Sequence, residues 1–248
     1  MTELAYMIRE DWAQHGTAMV PQSAAIRRWV GEAPYLFAVA DVGKFNGDDR
    51  SADLEAAEFI APNLSDRKVV NIGELRNLTP GNETRPHAII VLHPYEQKEL
   101  EAIRAAVAAG LVSRLFVLIW SPRDITRIWL DGLRALNLHT QEKVPAADPL
   151  MVAAAEMMVN EEYNGLSSGR GKDAVVQLVR AFAAKGYAVD TVAWLRAYFA
   201  AGGGFRHAES IEKLVKEMAA GTKHRTSARY REDIFEVIRE RTEVASHV

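Results

Sequence analysis

The apolar positions in the first half of the chain follow two rhythms. Four short runs, YLFAVA (35–40), VVNI (69–72), AIIVL (88–92) and LFVLI (115–119), are almost continuously hydrophobic and rich in β-branched and aromatic residues. Unbroken apolarity over strand length marks strands covered on both faces, as in parallel sheets. Between and after these runs the spacing turns helical. Leu54, Ala57 and Ile60 recur within 53–62, Leu100, Ile103, Ala106 and Val107 within 95–109, and Ile125, Ile128, Trp129, Leu133 and Leu136 within 122–136. Gly110 stops the second of these helices, and Ser121-Pro122 reads as the cap and first position of the third. Two more helices, over about 3–15 and 22–30, are expected outside the sheet, and the irregular link GELRNLTPGNETRP has room for one short helix at most.

The rhythm breaks at NLHTQEKVPAADP (137–149), a polar stretch with two prolines and no period. Beyond it only helical patterns occur. Asp148-Pro149 opens an Ala/Met-rich helix to about 161, and a second helix carries Val175, Val176, Val179, Phe182 and Ala183. Asp190 caps a third with Val192, Leu195, Tyr198 and Phe199. Gly202-Gly203-Gly204 leads to a fourth with Ile211, Leu214, Val215 and Met218, and a final one carries Ile234, Phe235, Val237 and Ile238. The expected fold is therefore α/β plus all-α. A small parallel sheet of about four strands, Rossmann-like in its strand–helix alternation, with N-terminal helices, occupies residues 1–143, and a helical-bundle domain occupies 144–248.

Composition narrows the classes. With 48% hydrophobic and 25% charged residues among 248, the chain is ordinary globular material. It contains no cysteine, which excludes disulfides, thiolate nucleophiles and thiolate metal ligands, and suits a reducing compartment. The charged N-terminus has no apolar signal core, and the longest apolar cluster, LFVLIW, is strand-sized, so a cytoplasmic protein without a membrane partner is expected. Net charge is −3, but residues 164–231 alone carry twelve Lys and Arg against five Asp and Glu. That local excess suits anionic partners.

Candidate chemistry falls in three places. The stretch GLSSGRGKD (165–173) superficially suggests a phosphate-gripping loop. A nucleotide-binding P-loop has four residues between its first glycine and the Gly-Lys pair, followed by Ser or Thr. Here five residues separate Gly165 from Gly171, and Asp173 follows Lys172, so that assignment fails. What remains is a helix–helix connector capped by Ser167 or Ser168. Its backbone amides, two hydroxyls and the cations Arg170 and Lys172 could seat a phosphate or carboxylate, with Gly169 and Gly171 between them. Pairing of Glu161 or Glu162 with Arg170 or Lys172 competes with that role.

The second place is the rim beyond the strand ends, where open parallel sheets bind ligands. Asp41, Lys44, Glu74, His93 and Arg123 stand there, with His93 as the acid–base group and Asp41 or Glu74 as its partner or as a metal ligand. The third is the helix pair at 190–219. Read as helix-turn-helix, it would offer Arg206, His207 and Lys213 to nucleic acid, helped by Lys223 and Arg225.

No GxGxxG follows a strand, and no HExxH or GxSxG occurs, so neither a dinucleotide cofactor nor a resident metal is expected. The leading expectation is a non-catalytic binder of a small anionic ligand, seated in the 165–172 loop or in a cleft between domains. The alternatives are a nucleic-acid-binding regulator, and a hydrolase or transferase working at the strand-end rim. Sequence leaves enzymatic activity and self-association open.

Overall fold

The computed structural model describes residues 2–9, 19–32, 34–47, 51–77 and 88–245. Internal contacts divide the chain into two compact units, Met1–Leu130 with Arg134–Val144, and Asp131–Leu133 with Pro145–Val248.

The first unit is built on a seven-stranded sheet: β1 (Glu3–Ile8), β2 (Tyr35–Val39), β3 (Val69–Asn71), β4 (Ala88–Leu92), β5 (Arg114–Ile119), β6 (Leu136–Asn137) and β7 (Glu142–Lys143). Their order is β3-β2-β4-β5-β1-β6-β7, and every pairing is parallel except β6 with β7. The helices of this unit are α1 (Met19–Val30), α2 (Val42–Gly47), α3 (Ala52–Ile60), α4 (Gln97–Ala108) and α5 (Ile125–Gly132).

The four strands legible as apolar runs are all present, but the sheet has seven strands rather than about four. The largest correction is at the N-terminus. Residues 3–8 of the expected helix over 3–15 form β1, and 10–15 lie outside the described residues. Leu4, Ala5, Met7 and Ile8 mimic helical spacing because β1 lies deep in the sheet and Ala5, Tyr6, Met7 and Ile8 are all buried, which erases the alternation of a half-exposed strand. The strands β6 and β7 are two residues each, too short to leave a pattern.

One face of the sheet, carrying Ala5, Met7, Phe37, Val39, Ile90, Leu92, Phe116 and Leu118, packs against Ile26 and Val30 of α1, Phe45 of α2 and Ala56, Ala57 and Ile60 of α3. The alternate residues Ile89, Val91, Leu115 and Val117 are equally sealed from water. On the connection from β3 toward β5, α4 packs on a 3₁₀ turn at Ile72–Asn77, the one short helix the link could hold. Residues 78–86 of that link are outside the described residues. The third predicted helix starts at Ile125, later than Ser121-Pro122 implied. Asp124 turns back to accept hydrogen bonds from the Trp120 and Ser121 amides (both 3.1 Å), holding 121–124 as a turn.

The second unit is helical: α6 (Pro149–Val159), α7 (Gly169–Ala183), α8 (Thr191–Ala200), α9 (Phe205–Ala219) and α10 (Ile234–Ala245). Two starts follow the sequence closely. Asp148 accepts from the Leu150 amide (2.8 Å) and the Met151 amide (3.1 Å) with Pro149 in the first turn, and Asp190 accepts from the Ala193 amide (2.7 Å). Phe182 is the hub of the core, edge-on to Tyr187, Trp194 and Phe235 at centroid distances of 5.0, 5.3 and 4.9 Å. Trp194, Tyr198 and Phe199 are buried, as a core stripe requires.

At the start of α7 the chain crosses itself so closely that a Cβ on Gly171 would sit 2.0 Å from the Gly165 carbonyl oxygen. Gly171→Ala should therefore destabilise the protein by about 1–3 kcal/mol, the usual range for overpacking. Gly47→Ala, at a helical glycine with open space around it, should be neutral or stabilising by up to about 1 kcal/mol. Urea denaturation of both variants checks the contrast.

Candidate active site at the strand ends

Chain direction changes between β2 and β4, which are neighbours in the sheet. The chain leaves β2 toward the β3 edge and leaves β4 in the opposite direction, toward β5. Such a switch point opens a crevice at the carboxyl ends of the strands. His93 is the first residue past β4, and its backbone amide still donates to the Leu118 carbonyl (2.9 Å). Its φ of 42° lies in the left-handed region, unusual for a non-glycine residue and often found where a site constrains the chain.

The imidazole is 3% exposed, with Nδ1 2.6 Å from Oδ1 of Asp53 in the first turn of α3. It stacks on the indole of Trp120, which follows β5, at 4.1 Å and 22°. Arg9, just past β1, lies 5.3 Å above that indole ring and is bonded to the Ala52 carbonyl (3.1 Å) and the Glu55 carboxylate. Three strand ends and one helix start thus converge on a single histidine.

Burial lowers the His93 pKa, and the Asp53 hydrogen bond and charge only partly oppose this. The resting imidazole is neutral, so its one ring proton sits on Nδ1 and is donated to the carboxylate. The lone pair is then on Nε2, which is buried and has no hydrogen-bond partner among the described residues. Leaving such an atom unsatisfied costs about 1–3 kcal/mol, so its position calls for a physical reason.

The expected partners of His93 are corrected: Asp53 holds it, while Asp41 and Glu74 have other bonds. Asp41 accepts from the Lys44 amide (3.1 Å) at the start of α2. Glu74 accepts from the Asn71 side chain (3.1 Å), and Asn71 in turn accepts from the Val42 amide (3.1 Å). Lys44 is exposed on α2, and Arg123 is exposed on the turn before α5. Sequence reasoning missed Arg9, Asp53 and Trp120. Arg9 was hidden by the misassigned helix, and Asp53 looked like an ordinary acid in a first helical turn. Trp120 could have been noticed as a large aromatic at a strand's carboxyl end.

The 165–172 loop is a helix connector. Gly165 (φ 73°) follows a 3₁₀ turn at Glu162–Asn164, and Ser168 takes the N-cap position without a side-chain capping bond. Ser167, Ser168, Gly169 and Arg170 are exposed, and Gly171 is buried at the chain crossing. The expected pairing of Glu161 or Glu162 with Arg170 or Lys172 is replaced by other contacts. Buried Glu161 binds Arg229 and the Asn164 side chain (2.7 Å), and Glu162 accepts from the Tyr198 hydroxyl and from the Gly204 amide (3.1 Å).

The turn of the 190–219 helix pair is built around buried Tyr198, whose ring would lie 2.3 Å from a Cβ on Gly203. Arg206 and Lys213 are exposed and His207 is half-buried on α9, while Lys223 and Arg225 are exposed on the connector. That connector is fastened along α7. Asp173 accepts from the Ser227 amide (3.2 Å), Gln177 from the Arg229 and Tyr230 amides (both 3.0 Å), and Arg180 donates to the His224 carbonyl. Several cations of the basic segment have internal acids: Arg229 with Glu161, Arg231 with Asp233, Lys185 with Glu236 and Lys216 with Glu212. Among the described residues, no helix is long and apolar enough to cross a membrane and no cluster of His, Asp and Glu could hold a metal ion.

Because the folded-state pKa of His93 is lowered, the unfolded chain takes up its proton first as pH falls. The stability from its neutral burial is complete above the ordinary value of 6.5 and is lost as pH drops from there through the lowered folded value. Urea midpoints across this window should fall more steeply for the native protein than for His93→Gln. Parallel slopes would contradict the neutral, buried assignment.

No known protein family, no characterised protein and no solved structure matches this chain.

Proposed function

We propose that the chain is an enzyme, a hydrolase or transferase acting on a small molecule at the carboxyl rim of its sheet, with His93 as general base and Asp53 as its orienting partner. The observation that carries this reading is the division of labour on one imidazole: Nδ1 is committed to a carboxylate while Nε2 is buried and unspent. Once the rim opens to admit a reactant, a base so arranged takes a proton from water or from a substrate hydroxyl at Nε2, and Asp53 stabilises the imidazolium that forms. Trp120, stacked on the ring and 43% exposed, is the side chain through which a substrate would approach. Arg9 holds the start of α3, and therefore Asp53, in place through Ala52 and Glu55.

A purely anion-binding role for the rim receives less support, since Arg9 already has an acid partner and Lys44, on α2, and Arg123, on a turn, are exposed. The polyanion reading of the second unit is weakened by the same kind of internal pairing.

The test is turnover of a panel of small carboxylic esters, phosphoesters and glycosides. His93→Ala should lower the active rate by about 10²–10⁴-fold, the usual contribution of a positioned base. Asp53→Asn should also slow the reaction. Because Asp53 raises the imidazole pKa against the larger effect of burial, its loss should move the acidic limb of the pH–rate profile to lower pH. Unchanged turnover in His93→Ala, or no turnover across the panel, would count against the proposal.

A further inference from the structure

The second unit holds a cavity of about 280 Å³ that the proposed chemistry does not use. Its walls come from three separate segments: the 165–172 loop and the start of α7, one face of α9, and the basic connector. The size lies just below the roughly 300–1,000 Å³ typical of drug-sized ligand sites, which suits a small metabolite.

Its charges alternate. On α9, Glu209, Lys213 and Glu217 are spaced four residues apart and share one helix face, so a cation stands between two carboxylates. Lys172 faces the cavity from the other wall, with the hydroxyls of Ser167 and Ser210 nearby.

The independent observation is His224. Its side chain is only 8% exposed and lines this cavity, and its Nε2 is buried without a hydrogen bond, although the Glu217 carboxylate is 3.4 Å away. The connector cannot easily withdraw it, since its carbonyl is bound by Arg180. The Glu217 carboxylate is therefore not spent on a hydrogen bond to the ring and keeps its lone pairs for a ligand in the cavity.

We propose that this cavity binds a small zwitterion, a free amino acid or a close analogue. Lys172, Lys213 and the serine hydroxyls take its acidic group, and Glu209 and Glu217 take its ammonium. A simple anion would meet two carboxylates here, and a simple amine would meet two lysines. A molecule bearing both charges matches both.

The experiment is thermal unfolding of the full chain with each protein amino acid at about 10 mM, and with inorganic phosphate, acetate and ethylamine as single-charge probes; binding to the folded state raises the midpoint with ligand concentration. At least one amino acid should raise the midpoint in a concentration-dependent way, and the single-charge probes should not. The shift should vanish in Lys213→Ala and in Glu209→Gln. Both residues are exposed, so both variants should keep the native circular dichroism spectrum. His93→Gln should retain the shift, which separates this site from the strand-end one. No shift with any amino acid, a shift with phosphate or acetate alone, or a shift that survives in both cavity variants would overturn the proposal. Should either variant lose its native spectrum, amino-acid-induced chemical shift changes at His224 in the native protein decide the matter, and their absence overturns it.

Discussion

The sealing of both faces of β1, β5 and β4 is the constraint on which the first unit depends. In the middle of the sheet, six consecutive residues of β1 pair in register with β5, and five of β4 pair with β5 on its other side. Side chains pointing either way are buried, so no polar group fits along the strands without a large desolvation cost. Polar chemistry is displaced to the strand ends. There the backbone leaves the ladder, and side chains from segments distant in sequence come within hydrogen-bonding reach. His93 still lends its amide to the ladder while its side chain has left it.

The same constraint explains why the imidazole stays neutral. It sits where the apolar interior ends, walled by Trp120 and held by one carboxylate, so desolvation outweighs the pull of Asp53. Had the histidine been more exposed, Asp53 would favour the imidazolium and the ring would have no lone pair to use. The helical unit handles charge in the opposite manner. It holds the backbone of its basic connector with α7 side chains at positions 173, 177 and 180 and keeps most of its charged side chains at the surface. Buried Glu161 is the exception, and it is matched by Arg229 and Asn164. The excess of positive charge counted along 164–231 is therefore offset in part by acids outside that segment, Glu161, Asp233 and Glu236.

Glycines show the same gap between composition and geometry. The three in GLSSGRGKD look like a ligand loop, yet Gly171 is required by a backbone crossing at Gly165, and Gly203 by the ring of Tyr198. In each case the missing Cβ makes room for another part of the same chain.

The sequence alone determined the elements whose signal is local. These are the four strands with apolar runs, the helices with regular apolar spacing, and the caps at Asp148 and Asp190, where a side chain bonds amides two or three residues away. It misread β1, because a strand buried on both sides has no alternation to distinguish it from a helix, and it missed β6 and β7, which are too short to carry a period. It also singled out His93, but paired it with acids at neighbouring strand ends. Only the tertiary structure decided that Asp53, forty residues away in the chain, is the partner. Strand order and the crossing of α3 over the sheet bring the two together, and neither is encoded in the spacing of any single segment.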